Sequence, residues 1–242
     1  MKKSIALVCS IIASSSVFSA DSVHWSYSGS EGPKHWAELS SDNFSCTGKN
    51  QSPINLTGFI ESDLAPIEFS YMDGGNEIIN NGHTIQVNYE QGSYINIDGI
   101  SFDLLQFHMH APSENHINGK SYPLEAHFVH ADSSGNLAVV AVMFEEGVGN
   151  VELKRVWKMM PKHVGGKTVV DKVSADALLP TQRDYYRFNG SLTTPPCSEG
   201  VRWLVMKEPM TASKQQIDTF KNVLHEPNNR PLQPKNARPI LQ

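Results

Sequence analysis

The sequence predicts a single, mainly β domain with a few peripheral helices. Short apolar runs, several alternating with polar residues, recur between residues 67 and 144, as is typical of strands. Helical periodicity is scarce, and no linker, internal repeat or low-complexity tract divides the 242 residues. A hydrophobic content of 39% with 19% charged residues indicates a globular chain that can bury a sizeable core.

Residues 1–20 have the organisation of an export signal. Lys2 and Lys3 begin the segment, an apolar stretch covers residues 5–13, and residues 17–20 offer a cleavage region. We predict a signal peptide over 1–20, a mature domain over 21–242 and a periplasmic or secreted location. A buried N-terminal helix is the alternative, and the stretch is too short to span a membrane.

The charge of the chain argues against nucleic acid as a partner. The net charge is −5, and it becomes −7 without the leader, which contains two lysines and no acid. Export would also place the mature chain in an oxidising compartment, where Cys46 and Cys197 remain after Cys9 is removed. If joined, they close a loop worth at most roughly 4 to 5 kcal/mol in the chain-entropy model; two free thiols are the alternative.

The order of elements follows from local patterns. Residues 21–60 show little periodicity and are predicted to be irregular, fixed to the core by aromatic rings. The helical period over residues 153–160 ends at Pro161, and Ser213 with Gln216 forms a capping-box pattern that begins a second helix. From Glu226 the tail is predicted to be coil. Strands are predicted over residues 77–80, 84–89, 94–100, 101–110, 122–132 and 137–144, with hairpin turns at Asn81-Gly82 and at 133–136.

Two histidines in the segment Gln106-Phe107-His108-Met109-His110 lie on one face of a predicted strand, since side chains alternate along a strand. An antiparallel neighbour over residues 122–132 would add His127. Three imidazoles with an open fourth position favour catalytic rather than structural zinc, whose bound water has a pKa of about 7. Gln106 and Glu125, each two residues before a histidine, could hold the second ring nitrogens.

These segments resemble the alpha-class carbonic anhydrases in order and spacing, and the resemblance covers about residue 22 to the C terminus. It implies a large twisted, mostly antiparallel central sheet with a few short peripheral helices. It also implies reversible hydration of carbon dioxide to bicarbonate with a Zn²⁺ cofactor. The matching segments are residues 106–110, 113–114, 125–130 and 190–197, with further matches at 24–27, 50–53 and 80–83.

The resemblance implies a role for each matching residue. Zinc would be bound by His108, His110 and His127. Thr193 would accept a hydrogen bond from zinc hydroxide and donate its own proton to Glu114, because an ionised carboxylate only accepts. His83 would pass protons to buffer. The other implied positions are Val129, Val139, Leu192, Thr193, Thr194 and Trp203 around carbon dioxide, with Leu137 nearby; Tyr27, Asn81 and Gln86 in the water network; and a Cys46–Cys197 bridge that would stiffen the Thr193 loop.

Two positions depart from the family pattern. Phe188 stands where Tyr is frequent, and Asn115, followed by His116, stands where many members have His directly after the Glu. We expect altered stability or rate rather than lost activity. The resemblance further implies inhibition by sulfonamides and anions, and it leaves a homodimer open.

Two other functions compete with this interpretation. His108-x-His110-x3-Glu114-x4-Gly119 is similar to the first cupin motif, in which the Glu would be a fourth ligand to iron or manganese. However, His127 is not preceded by the Pro-x-Gly-x-x segment of a second cupin motif. A catalytically silent relative used for binding is the non-enzymatic alternative. It is disfavoured because all three histidines, Glu114 and Thr193 are present.

Overall fold

The structure, a computed structural model, describes residues 24–242, so the predicted signal peptide lies outside the described residues. An eleven-stranded sheet forms its body, beside a two-stranded parallel sheet of β1 and β7. The strands are β1 (Asn55–Leu56), β2 (Glu68–Ser70), β3 (Gly75–Asn80), β4 (Ile85–Tyr89), β5 (Tyr94–Ile97), β6 (Ile100–His110), β7 (His116–Ile117), β8 (Leu124–Ala131), β9 (Leu137–Glu146), β10 (Lys167–Val173), β11 (Tyr185–Ser191), β12 (Glu199–Met206) and β13 (Met210–Ala212). The α-helices are α1 (Trp36–Leu39), α2 (Val151–Met159) and α3 (Lys214–Leu224), and 3-10 turns cover Gly29–Glu31, Ser41–Thr47 and Asp176–Leu178.

The large sheet runs in the order β10-β3-β4-β6-β8-β9-β12-β11, with β5 beside β6, β2 beside β5 and β13 beside β9. Neighbouring strands are antiparallel, except that β12 and β13 run parallel to β9. The predicted fold class, mainly β with a large and mostly antiparallel sheet, is confirmed.

The strands after residue 144 were missing from the sequence prediction. β10 is an edge strand with most of its side chains outside the core, and its register shifts between Val169 and Val173. Such strands carry a weak alternation signal. β12, in contrast, contains an apolar run from residue 203 to 206 that is itself a signal for a buried strand.

Apolar side chains cover both faces of the central strands. Along β8, Phe128 belongs to the core cluster that packs under α2 and α3, whereas Val129 belongs to the cluster on the other face. β9 divides in the same way, and its residues 138–144 are all buried. The prediction that this strand is buried on both faces is confirmed.

Both predicted helices are present, and they pack on one another. The Trp157 ring in α2 stacks on Phe220 in α3 with centroids 5.4 Å apart. The capping box is confirmed, because Ser213 Oγ accepts from Gln216 N at 3.2 Å while Gln216 Oε1 accepts from Ser213 N at 3.0 Å. Among residues 24–242, no helix combines the length and apolarity that a membrane crossing requires.

The terminal coil segments are ordered parts of the fold. Near the C terminus, Leu241 exchanges two backbone hydrogen bonds with Arg187, each 2.9 Å long, and so covers the outer edge of β11. On its other side, Ile60 N donates to Ile240 O at 2.8 Å. The predicted coil after Glu226 is therefore confirmed as irregular chain, but it is tied to the sheet.

A buried histidine outside the candidate metal site lies in the core. His130 Nε2 is 2.6 Å from the Tyr71 hydroxyl, and His130 Nδ1 is 3.3 Å from Ala138 O. Burial lowers the pKa of His130 to about 4. The ring is therefore neutral at pH 7, donating from Nδ1 and accepting the Tyr71 proton at Nε2.

This burial predicts a pH-dependent stability. The unfolded chain binds a proton at His130 near pH 6.5, and the folded chain only near pH 4. Between these values the unfolded state holds more protons, so the free energy of unfolding falls as the pH falls, by roughly 3 kcal/mol in all. His130→Gln, which can still accept from Tyr71 and donate to Ala138, should lack this contribution.

Denaturant unfolding of chelator-treated wild type and His130→Gln between pH 4 and 7 measures the difference. As the pH falls, the free energy of unfolding should decrease less for the variant than for the wild type. Parallel stability curves for the two proteins would show that His130 is not protonated on unfolding.

Candidate metal centre

Three histidines meet where β6 and β8 pair. β6 projects His108 and His110 to one face, and the antiparallel register places His127 of β8 directly opposite His108. One nitrogen from each ring lies within 4.8 Å of the other two. His110 and His127 are buried, whereas His108 is partly exposed. The predicted third imidazole from an antiparallel neighbour is confirmed.

The second ring nitrogens of the β6 histidines are held by hydrogen bonds. His108 Nδ1 lies 2.8 Å from Gln106 Oε1, and His110 Nδ1 lies 2.7 Å from the main-chain oxygen of Asn228. A main-chain oxygen only accepts, so His110 Nδ1 carries the proton and its Nε2 presents a lone pair. The same tautomer of His108 follows if the amide oxygen of Gln106 faces the ring.

His127 is held in the opposite sense. Its Nε2 lies 2.9 Å from Glu125 Oε1, although the contact lies outside the angular range of a well-formed hydrogen bond. The partner of a carboxylate must donate, which leaves His127 Nδ1 as the free nitrogen. Gln106 and Glu125 thus occupy the positions predicted for them, while the contact from Asn228 was not predicted.

The donor set fits a metal ion. Burial lowers the pKa of all three histidines, and that of His108 and His127 well below the usual value, so the rings are neutral at pH 7 as ligands must be. His110 Nε2 is buried without a hydrogen-bond partner among the described residues. A buried lone pair of this kind, beside two others, is satisfied by a cation. Three neutral imidazoles suit zinc.

Glu114 lies behind the histidines as a buried carboxyl group. Its Oε1 accepts from Arg230 N at 2.9 Å, and its Oε2 lies 3.5 Å from His110 Nε2. Burial raises the pKa of Glu114 to about 8, an effect opposed by the Arg230 N–H and by the Thr193 hydroxyl. Oε2 itself has no partner within hydrogen-bond geometry among the described residues, and it faces the site.

The loop that carries Thr193 is fixed at several points. A disulfide joins Cys197 to Cys46, Gln51 Nε2 donates to Cys197 O at 3.1 Å, and Trp203 Nε1 donates to Ser191 O at 3.1 Å. The predicted pairing of Cys46 with Cys197 is therefore confirmed. Thr193 is buried and Thr194 partly exposed.

Gly190 permits the close approach of β11 to the segment at residue 52. A Cβ atom at this position would lie 2.1 Å from Ser52 Oγ and 3.1 Å from the Trp203 ring. Ser52 and Ser191 exchange hydrogen bonds across this contact, each from a backbone N–H to a hydroxyl. No other residue type has the room there.

An apolar wall lies beside the histidines. The cluster on this face of the sheet includes every apolar residue that the resemblance placed around carbon dioxide, and the Trp203 ring centroid lies 4.9 Å from that of His127. The buried members are Val129, Val139 and Trp203, with Leu137 and Leu192 packed against them and partly exposed. An apolar molecule could therefore be held close to the histidines.

His83 lies on the turn between β3 and β4 and stacks on Trp25 with ring centroids 3.7 Å apart. Asn81 Oδ1 accepts from His83 N at 2.9 Å, so this amide oxygen closes the turn. Asn228 Nδ2 donates to His83 O at 3.0 Å. Burial lowers the pKa of the His83 ring, with a smaller contribution from His24 and an opposing one from Glu226.

The other predicted polar positions surround the same region. Gln86 of β4 lies opposite His108 in the register, and its side chain donates to Asn88 Oδ1 at 2.6 Å. The Tyr27 ring contacts Trp25 and His83 edge to face. Burial raises the pKa of Tyr27 well above its usual value, helped by the charge of Glu114, so the phenol stays protonated.

Both departures from the family pattern are buried. Phe188 lies parallel to Trp203 with centroids 5.9 Å apart, and its ring packs in the apolar cluster with the Arg238 guanidinium 6.0 Å from its centroid. Asn115 contacts the carboxylate of Glu125. Neither departure therefore changes a candidate metal ligand.

The sequence analysis missed Asn228 and Arg230. Both lie in the tail predicted to be coil, and both are 2% exposed. Asn228 binds His110 and His83, and Arg230 binds Glu114, over separations of more than a hundred residues. A local pattern could not reveal these contacts, although polar residues that recur in a Pro-rich tail were a weak signal for specific hydrogen bonds.

Comparison with known proteins identifies similar chains. The profile of a family described as eukaryotic-type carbonic anhydrase matches residues 31–242. The carbonic anhydrases of Pectobacterium atrosepticum and Neisseria gonorrhoeae are 50% and 42% identical, over 99% and 98% of this chain and 98% and 94% of theirs. Matches of this length exclude the cupin alternative.

Solved structures of carbonic anhydrases are also similar to this chain. The alpha-carbonic anhydrase of Thermovibrio ammonificans, in complex with the inhibitor sulfanilamide, has a TM-score of 0.90 at 49% identity and covers 91% of this chain and 100% of its own. A carbonic anhydrase from Chlamydomonas reinhardtii, in complex with acetazolamide, has a TM-score of 0.79 at 34% identity, over 90% and 98% of the two chains.

The disulfide should restrict the Thr193 loop. In the Cys46→Ser/Cys197→Ser variant we expect faster hydrogen exchange at Leu192 N, an unchanged residue of the loop that donates to Ser198 O at 3.0 Å. The unfolding free energy should fall by up to roughly 4 to 5 kcal/mol. Hydrogen exchange under native conditions, with the core strand β9 as the control, measures the first effect. Unchanged exchange of the loop would show that the bridge does not stiffen it.

Proposed function

Since the chain belongs to the eukaryotic-type, or alpha-class, carbonic anhydrase family, we propose that it hydrates carbon dioxide reversibly with Zn²⁺ held by His108, His110 and His127. Members of this family are lyases and zinc-dependent, and the chain is a carbonic anhydrase by membership. The observation that carries the metal assignment is the set of three neutral ring nitrogens within 4.8 Å of one another.

Three protein ligands leave a fourth position of a tetrahedral ion open. A zinc ion held by these three histidines would supply hydroxide at neutral pH, because it would lower the pKa of a water molecule to about 7. The protein fixes the three rings from behind, through Gln106, Asn228 and Glu125. Ligands that are held in place bind a metal more strongly than mobile ones.

Thr193 and Glu114 would orient the attacking oxygen. Glu114 is buried, and its Oε1 is occupied by the Arg230 N–H, which leaves Oε2 to accept from the Thr193 hydroxyl. Burial raises the pKa of Glu114 to about 8, and a cation held by the nearby histidines would lower it and favour the ionised carboxylate. A threonine that donates to a carboxylate must accept with its own lone pair from the next donor. The pair would therefore turn a lone pair of the nucleophile toward the substrate carbon.

The apolar wall would hold carbon dioxide. Val129, Val139 and Trp203 are buried in one cluster, and Leu192 is the partly exposed member on the Thr193 loop. Carbon dioxide is apolar and gains by leaving water for such a surface. Thr193 and Thr194 would flank it on the polar side.

His83 would carry the released proton to buffer. Its ring is partly exposed on a turn, with one face against Trp25. An imidazole can carry a proton near neutral pH, and burial lowers the pKa of this ring below its usual value. Tyr27, Asn81 and Gln86 would order the water between His83 and the metal. The protonated Tyr27 phenol and the Gln86 amide can both donate to water.

Several further assignments rest on the relatives. Sulfanilamide is an inhibitor of the Thermovibrio ammonificans enzyme, and acetazolamide is bound in the Chlamydomonas reinhardtii complex; we propose that this chain also binds sulfonamides, and inhibitory anions, at the metal. We propose a signal peptide over residues 1–20, a mature domain over 21–242 and a periplasmic or secreted location, in keeping with the disulfide. A homodimer remains open.

Removal of one ligand tests the metal assignment. His108→Ala should retain almost no zinc after dialysis and should lose carbon dioxide hydration, because two imidazoles hold zinc far more weakly than three. Metal analysis and stopped-flow hydration, on the oxidised mature protein with and without a chelator, measure both. His116→Ala, a partly exposed histidine of β7, is the control. A wild type that hydrates carbon dioxide at full rate after complete zinc removal would refute the proposal.

Removal of the shuttle tests proton transfer separately. His83→Ala should reduce turnover at least about tenfold in weakly buffered solution, while added imidazole partly restores it. kcat/KM for hydration should change little, because His83 does not contact the metal ligands. His163→Ala, an exposed histidine, is the control. Full turnover of His83→Ala without added buffer would remove this role.

A further inference from the structure

The backbone and side-chain polar atoms of Asn115 all form hydrogen bonds, and none of these bonds is to one of the three histidines. The residue is fully buried, directly after Glu114 and before β7. Its side-chain Nδ2 and its backbone N both donate to the Glu125 carboxylate, at 2.8 Å to Oε1 and 2.8 Å to Oε2. Such a set of contacts indicates a defined role for a residue that departs from the family pattern.

The orientation of the Asn115 amide follows from its second partner. Ile54 N lies 3.1 Å from Asn115 Oδ1, and a backbone N–H can only donate. Oδ1 is therefore the acceptor, and Nδ2 must be the group that faces Glu125. The parallel pairing of β1 with β7 holds Ile54 in this place.

Glu125 depends on these donors. Both of its oxygens are buried, and Glu114 N adds a third N–H at 2.7 Å from Oε2. Within residues 24–242 no lysine or arginine forms an ion pair with it. Hydrogen bonds from neutral N–H groups therefore compensate most of the free-energy cost of burying this carboxylate. The Asn115 amide is the only side chain among these donors, and it binds the same oxygen, Oε1, that faces His127 Nε2.

We propose that Asn115 is a positioning residue of the metal site. Its amide holds Glu125 Oε1 against His127 Nε2, and this contact keeps the ring turned with Nδ1 toward the metal. The chain of contacts runs from Ile54 through Asn115 and Glu125 to His127. Loss of the amide donor frees the His127 ring and accelerates metal release. The inference rests on the zinc site of the proposed function.

The test compares zinc dissociation from three loaded variants and from the wild type. Asn115→Asp keeps the size of the side chain but opposes a carboxylate to a carboxylate, and zinc should leave about 10 to 100 times faster. Asn115→His restores a donor of the kind that many family members carry, so its rate should stay within about threefold of the wild type. Transfer of zinc to an excess of chromogenic chelator measures the rates.

Gln216→Glu is the matched control, because it also replaces a buried amide by a carboxyl group. Gln216 donates to Asn150 O and accepts from Ser213 N in the contact of α2 with α3. We expect it to change the unfolding temperature of the metal-free protein but not the zinc dissociation rate. Asn115→Asp should change both, which separates positioning from general stability.

The outcomes distinguish the inference from the function on which it rests. Wild type that binds no zinc refutes the proposed function. Wild type that binds zinc, with Asn115→Asp releasing it at the wild-type rate, overturns the role of Asn115 alone. Release from Asn115→His as fast as from Asn115→Asp also overturns it. If Asn115→Asp does not fold, Asn115→Ala replaces it, and zinc should then leave about tenfold faster.

Discussion

The register between β6 and β8 is the constraint on which the site depends. It places His108 opposite His127, with His110 two residues further along the same face. Side chains alternate along a strand, so a slip of one residue would turn His127 into the core and bring Phe128 to the metal face. Apolar side chains on both faces make such a slip costly, because Phe128 and Val129 belong to different core clusters. The packing that stabilises the sheet therefore also positions the ligands.

Around this strand pair, several buried polar groups form hydrogen bonds with segments outside the pair. Two carboxylates, Glu114 and Glu125, lie in the interior, and backbone N–H groups bind both. The tail residue Asn228 holds His110 and the His83 turn at once. Unsatisfied polar groups at this depth would be expensive, so the irregular terminal segments are as necessary to the site as the strands. Their ordering is a consequence of that hydrogen bonding.

The two sides of the site differ in how firmly they are held. The Thr193 loop is tied by a disulfide, by Gln51 and by Trp203. His83, in contrast, lies on a partly exposed turn, with a stacked tryptophan as its main side-chain contact. This difference matches the proposed roles, because orientation of a nucleophile needs a fixed geometry, whereas a proton carrier must reach solvent.

The sequence by itself determined the mainly β class, the two helices with the capping box of the second, the pair of histidines on one strand face and, through resemblance, the family. These follow from periods of two and 3.6 residues and from short motifs, which are local. The tertiary structure alone decided that Asn228 and Arg230 complete the site, that Asn115 binds Glu125, and that Gly190 is needed beside Ser52. The contacts of Asn228, Arg230 and Gly190 join segments far apart in sequence, whereas Asn115 and Glu125 are ten residues apart and meet because the chain folds back between them. Such contacts depend on where the whole sheet brings the chain, and no local pattern carries that information.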